Sequence, residues 1–161
     1  MPVKCILAPV DFSPSSLHAL ACARMLAKRF HAELLVLHVV DQTYLAGAPQ
    51  LTIANPGLAG ILNEEWRRAN AAAARLGARI QRQWRRSRML VKRGAPWQTI
   101  VETAQRNGAD LLVMATHGRT GLAHALIGSV TERVVRHAHC AVLTVRGSGG
   151  TARPAARARS R

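Results

Sequence analysis

Ala115-Thr116-His117-Gly118-Arg119-Thr120-Gly121, running on through Leu122 to Gly128-Ser129, is the stretch that decides the fold of this chain. It follows the apolar run 110–115 and precedes an amphipathic segment at 130–137. A glycine-bearing turn between strand and helix lets backbone N–H groups gather round an anion, and the helix N-terminus adds its positive dipole. The stretch therefore reads as a phosphate site. Gly118 would admit the phosphate, while Gly128 and Ser129 would present amides and a hydroxyl at the helix start. The plainer reading is a pair of turn glycines beside an ordinary N-cap. The strand before them, and a capping box Ser129-Val130-Thr131-Glu132 after them, favour the phosphate. A Walker A loop is excluded, because no G-x-x-x-x-G-K-[ST] occurs.

Working outward, the same strand-then-helix unit recurs. Cys5-Ile6-Leu7-Ala8-Pro9-Val10 is a continuous apolar run of the kind buried on both faces, with Pro9 at its end. Ser13-Pro14 then opens a helix, Ser13 as N-cap and Pro14 at the first helical position. Leu17, Leu20, Ala21 and Met25 predict its inner face, and it ends near Phe30-His31. Leu34-Leu35-Val36-Leu37-His38-Val39-Val40 is a second buried strand. Residues 41–60, with Gly47, Pro49, Pro56 and Gly57, read as a flexible loop. A long Ala- and Arg-rich helix is predicted over 62–86, with Trp66, Ala73, Ile80 and Trp84 inward. A short third strand follows at 89–92, then the turn Gly94-Ala95-Pro96 and a helix over 97–106. Asn107-Gly108 closes that helix, Gly108 being suited to the left-handed C′ position. Asp110 opens the fourth strand and 141–145 is the fifth. Such alternation implies a parallel, doubly wound α/β sheet, whose ligands bind beyond the carboxyl ends of the strands where strand order reverses.

Composition narrows the class. The 161 residues suit one domain, and 48% hydrophobic with 19% charged residues is a globular balance. Aromatics are only 4%, so the core must be aliphatic. No apolar run approaches the ~20 residues of a membrane span, and the N-terminus lacks a signal-peptide h-region, so a cytoplasmic location is expected. Cys5, Cys22 and Cys140 form no C-x-x-C pair and read as small packed side chains. Residues 147–161 are too poor in large apolar groups to order themselves, leaving 1–146 as the domain and a basic, disordered tail. Net charge is +15, concentrated in an arginine-rich block from Arg67 to Arg93 and in that tail. A basic surface favours polyanions, although a solvated helix face is the commoner explanation.

Few other residues carry chemistry. Asp11, ending the first strand, either accepts from a ligand amine or hydroxyl or caps the first helix. Val39 and Val40 could flank a base, or simply belong to the core. His117 and Arg119 stand near the inferred phosphates or face solvent. His117, His124, His137 and His139 do not match a zinc-site spacing, so no metal ligands are assigned. Nothing resembles a Ser-His-Asp order or a carboxylate pair, so no catalytic residues are assigned either.

Taken together, these segments resemble the universal stress protein family. The likeness spans Ile6 to Val145. It includes Ile6-Leu7-Ala8-Pro9-Val10-Asp11-Phe12-Ser13, Leu37-His38-Val39-Val40-Asp41, Gly94-Ala95-Pro96 and, most specifically, Met114 to Gly121 with Leu126 to Glu132. Nucleotide-binding members carry G-x-x-G, nine residues, then G-[ST]; here Ala115 replaces the first glycine, while Gly118, Gly128 and Ser129 match. The resemblance implies a Rossmann-like fold (adenine nucleotide alpha hydrolase-like) of five parallel strands, order 3-2-1-4-5, with helices on both faces. It implies adenine and ribose contacts from Asp11 and Val39, and phosphate contacts from Gly118, Gly128, Ser129 and Val130. Pro9, Val10, Met114, Ala115, Thr116, His117, Arg119 and Thr131 complete the implied nucleotide site. It further implies ATP, with ADP or AMP as alternatives, an accompanying Mg²⁺ or Mn²⁺, and homodimers through the fifth strand. Ala115 fits if its φ is negative and weakens the site if it is positive.

Three functions compete at this stage. The first is an ATP-binding regulatory protein without rapid turnover. The second is an enzyme, either a slow ATPase or a relative of adenylating enzymes. Asp11-Phe12-Ser13-Pro14-Ser15-Ser16 stands where the adenylating enzymes carry a Ser-Gly-Gly-type loop, which argues against that relative. The third is a nucleic-acid-binding protein using the arginine block and tail, ranked last because no stacking platform or recognition helix is evident.

Overall fold

The computed structural model describes residues 2–43, 56–117 and 127–146. Among the described residues, five strands and four helices alternate: β1 Cys5–Pro9, α1 Pro14–Phe30, β2 Glu33–Asp41, α2 Pro56–Gln83, β3 Ser87–Gly94, α3 Pro96–Arg106, β4 Leu111–Ala115, α4 Ser129–His137 and β5 Ala141–Val145. All strand pairs are parallel, in the order β3-β2-β1-β4-β5. The order reverses between β1 and β4, which is where a doubly wound sheet opens a crevice beyond its strand ends.

The period of two along each strand divides the core into two layers. Ile6, Ala8, Leu34, Val36 and Val113 pack with Leu20, Ala23 and Ala27 of α1 and Leu76 and Ile80 of α2. Leu7, Leu35, Leu37, Leu112 and Met114 pack with Ile100, Val101 and Ala104 of α3 and Val134 of α4. Helices thus cover both faces, and β1, β2 and β4 are buried on each, as their continuous apolar runs require. The architecture is Rossmann-like.

Several expectations shift. Helix α1 does not turn Ala21 and Met25 inward; both are exposed, Met25 at 62%, and Leu17 is half-buried. Its buried stripe is Ser16, Ala19, Leu20, Ala23 and Ala27, all but Leu20 small residues that let the helix lie close to the sheet. Helix α2 starts at Pro56, inside the segment read as loop, and stops at Gln83, short of Arg86. Its inward stripe is Leu62, Ala69, Ala73, Leu76 and Ile80, while Trp66 and Trp84 are only partly covered. Strand β3 is longer than predicted because its backbone pairs with β2 along its whole length, Ser87 to Gly94. Asp110 lies outside β4; its carboxylate accepts from the amides of Lys4 and Cys5 at 2.7 and 2.9 Å, tying the N-terminus to the strand entry. Ser13 and Pro14 open α1 as predicted, and Gly108 takes φ +59°. Cys5 is buried and Cys22 and Cys140 are partly so; all three are free thiols. The tail, 147–161, and the loop tip, 44–55, lie outside the described residues. Among the described residues, no helix is long and apolar enough to cross a membrane.

Candidate functional site

The carboxyl ends of β1, β2 and β4 open into a cleft of about 1180 Å³. That is at the upper end of, or beyond, the ~300–1,000 Å³ usual for small-molecule sites. Its walls come from the strand ends, the start of α1, the first turns of α2 and the start of α4.

From β1 come Pro9, Val10 and Asp11. Asp11 Oδ1 accepts from the Ser13 amide at 3.0 Å and the Ser13 hydroxyl at 2.6 Å. Ser13 Oγ in turn caps α1 by accepting the Ser16 amide. Asp11 therefore braces the cap rather than being it, and its carboxylate still lines the cleft. Between them Phe12 takes φ +64°, a left-handed backbone that is uncommon outside glycine. Its ring rests on His38 with centroids 4.4 Å apart, and His38 Nδ1 shares a 2.8 Å hydrogen bond with the Val10 carbonyl. The strained turn and the buried imidazole thus hold one another.

From β2 come His38, Val39, Val40 and Asp41. From β4 come Met114 and Ala115, and the chain continues to His117. Ala115 is a strand residue paired with Val145 and has no positive φ, so its methyl brings no backbone strain. Thr116 does not line the cleft. Its carbonyl accepts the Gly128 amide at 2.7 Å, its amide donates to Val145, and its hydroxyl shares a 2.9 Å hydrogen bond with His117 Nδ1.

Gly128, Ser129, Val130 and Thr131 bring α4 to the cleft. The expected capping box is absent. Gly128, not Ser129, is the N-cap; Glu132 sends its amide to the Gly128 carbonyl and its carboxylate to Arg136. The Gly128 amide is occupied by Thr116, so the amide supply begins one residue later than expected. Ser129, Val130 and Thr131 are the first three residues of the helix, whose N–H groups have no acceptor within it. They are aimed at the cleft with the positive end of the helix dipole behind them. Thr131 Oγ1 donates to the Ala115 carbonyl at 2.9 Å and fixes the helix against β4. A Cβ on Gly128 would stand 3.3 Å from the Thr116 carbonyl oxygen, so this glycine serves close approach rather than a special φ.

Twelve of the residues picked out in the sequence therefore meet in one cleft: Pro9, Val10, Asp11, Val39, Val40, Met114, Ala115, His117, Gly128, Ser129, Val130 and Thr131. Gly118 and Arg119 lie outside the described residues. Sequence reading missed Phe12 and His38, and also Glu64, Glu65 and Arg68 of α2, which line the opposite wall. Glu64 forms ion pairs with Arg67 and Arg68, and the Arg68 hydrogen bond is the main influence holding its carboxyl below the usual range. No local signal marks them: Glu65 and Arg68 are exposed helix residues, and only the early start of α2 brings them to the cleft.

The universal stress protein family model matches residues 2–146. Universal stress protein MJ0531 of Methanocaldococcus jannaschii is 37% identical over 146 residues, covering 89% of this chain and 82% of that protein. The solved structure of UspA from Lactobacillus plantarum superposes with a TM-score of 0.77 at 27% identity, covering 91% of this chain and 99% of that one. A universal stress protein solved in complex with cAMP aligns with a TM-score of 0.55 at 29% identity, covering 92% and 100%. A family match over nearly the whole length, with relatives above 30% identity, places this chain in the universal stress protein family.

Proposed function

We propose that this chain is an ATP-binding regulatory protein in which bound nucleotide is a signal rather than a rapidly consumed substrate. The observation that carries the reading is the start of α4: three amides without helical acceptors face a cleft at the point where strand order reverses. That is chemistry for phosphate. The apolar strand ends of β1 and β2, Pro9, Val10, Val39 and Val40, suit a flat base, and Asp11 and Asp41 offer acceptors for its amine or for ribose hydroxyls. A relative in complex with cAMP supports an adenine nucleotide. The negative φ of Ala115 supports retention of the site despite the lost glycine.

Mg²⁺ or Mn²⁺ would accompany the phosphates. Among the described residues, no group of three His, Cys, Asp or Glu side chains could hold a metal ion, so the phosphates themselves would supply most of its ligands. The reading also takes 1–146 as the working domain, a cytoplasmic setting, and a homodimer through β5. That strand is at the sheet edge, with Leu143 39% exposed.

Competition dialysis against labelled ATP tests base and phosphate recognition together. ATP, ADP and AMP should compete and GTP should not. Equal competition by GTP would remove the adenine reading. Incubation of the complex for hours should release phosphate at the rate of the protein-free blank; sustained turnover would make the protein an ATPase instead.

A further inference from the structure

The arginines outside the cleft are arranged, not scattered. Arg75, Arg79 and Arg82 recur at i, i+4 and i+7 on α2, and Arg86 follows in the same phase just past the helix end. The first three are ~6 and ~4.5 Å apart along the axis. All four are exposed, as are Arg85 beside them and Lys28, Arg29 and His31 at the end of α1. The two helix ends are joined: Trp84 Nε1 donates to the Ala32 carbonyl at 3.0 Å, and the Leu34 amide donates to the Arg86 carbonyl at 2.8 Å. The two helix termini and the entries to β2 and β3 therefore form one basic pole. Its centre, from Arg79 onward, lies toward the amino ends of the strands, while Arg75 stands about 4.5 Å along the helix axis from Ala72, which lines the cleft.

Half of the eight carboxylates stand at the cleft instead. Asp11, Asp41, Glu64 and Glu65 line the cleft at the other end. Of the acids near the pole, Glu33 is taken by Arg88, and Asp110 by the amides of Lys4 and Cys5. Arg75, Arg79, Arg82, Arg85 and Arg86 form no ion pair among the described residues. Like charges at i, i+4 destabilise a helix, and a face needed only for solubility would intersperse signs. An anion of matching length removes that repulsion.

We infer that this pole binds the phosphodiester backbone of a nucleic acid without reading its bases. Guanidinium forks suit phosphate oxygens, and the row spans several phosphates. The apolar stripe of α2 is buried in the core, so this helix cannot embed in a bilayer as a membrane-surface helix does. Its apolar features are small beside the row of guanidinium groups: the exposed ring of Phe30 and a groove of about 370 Å³ lined by Ala73, Gly77, Gln81 and Met89. Base-independent binding also fits the absence of a recognition helix.

The test is fluorescence anisotropy of a labelled 20-base-pair DNA duplex, and separately a 20-nucleotide RNA, against the full chain from 50 to 200 mM KCl. With about five phosphate contacts, log K should fall with log[KCl] at a slope of roughly −4.5 for the duplex and roughly −3.5 for the single strand, a loss of roughly 10²–10³-fold across that range, and scrambling the sequence should change nothing. The triple variant Arg79→Gln, Arg82→Gln, Arg86→Gln should flatten the slope by about 3 and weaken binding at 100 mM KCl at least tenfold. Lys28→Gln with Arg29→Gln, on a different element, should flatten it by about 2. Full-length chain with Arg153→Ser, Arg157→Ser, Arg159→Ser and Arg161→Ser should retain the patch-dependent part. The inference is overturned by no binding to the wild type, by unchanged slopes in both patch variants, or by loss in the tail variant alone. Sedimentation with 3:1 phosphatidylcholine–phosphatidylglycerol vesicles but no nucleic-acid binding would overturn it in favour of a membrane.

Discussion

Gly128 concentrates the site's demands at one residue. Its amide and a hypothetical Cβ both meet the Thr116 carbonyl, at 2.7 and 3.3 Å. Gly128→Ala must therefore push the start of α4 away from β4. Overpacking of this kind costs ~1–3 kcal/mol. We expect a urea-midpoint loss at the low end of that range and a larger proportional loss of ATP affinity, since the displaced amides are the proposed phosphate ligands. Unchanged affinity would separate α4 from the phosphates.

Asp110 gives a pH dependence. Hydrogen bonds from the Lys4 and Cys5 amides hold its carboxyl below the ordinary value of 3.8. A depressed carboxylate contributes stability above its unfolded pKa and loses it as pH falls through the folded value. Wild type should thus exceed Asp110→Asn in stability at pH 7, by about 1 kcal/mol. The gap should narrow below about pH 4. A gap that widens in acid would contradict the assignment. Cys5 supplies a third expectation: burial pushes its thiol up to about 11, so iodoacetamide at pH 7.5 should modify it far more slowly in the native chain than in urea.

At the scale of elements, the strands were plain in the sequence and the helix faces less so. Buried parallel strands announce themselves as continuous apolar runs, as Leu34 to Val40 does; Ala141 to Val145, an edge strand that is nowhere fully buried, is legible from its β-branched and apolar residues instead. Helix α1 was misphased because Leu17 and Met25 are large and its true stripe is mostly alanine. Size was read where packing distance decided. The early start of α2 was hidden by Pro56 and Gly57, which read as loop, although proline is well tolerated in a first helical turn. The capping box failed for a similar reason: Ser129 sits one residue inside the helix because Gly128 must reach Thr116. Substitution can check the phase directly. Leu76→Ala, at a residue 6% exposed, should cost ~2–5 kcal/mol, while Met25→Ala should stay within ~0.5 kcal/mol. Comparable losses in denaturant unfolding would contradict the observed helix faces.

For the molecule as a whole, the sheet order joins distant segments into one site. Nothing local in Pro9-Val10-Asp11 or Gly128-Ser129 says that they meet; the reversal between β1 and β4 does. Alternation implied the sheet, and the family resemblance supplied its order. The left-handed Phe12 and its ring contact with His38 carry no sequence signature, since a bulky Phe does not favour that backbone. The charge segregation was equally invisible in a net charge of +15, which says nothing of where the eight acids stand. The fold places several of them at the cleft and leaves the opposite pole to arginine.

Calorimetric titration of the full chain with ATP in Mg²⁺, beside the Gly118→Ala, Gly128→Ala double variant, tests the central claim most directly. Saturable binding near one ATP per chain, lost or weakened at least tenfold in a variant that still unfolds cooperatively, is the predicted result. No heat of binding to a cooperatively folded wild type, or equal binding by the variant, would contradict it.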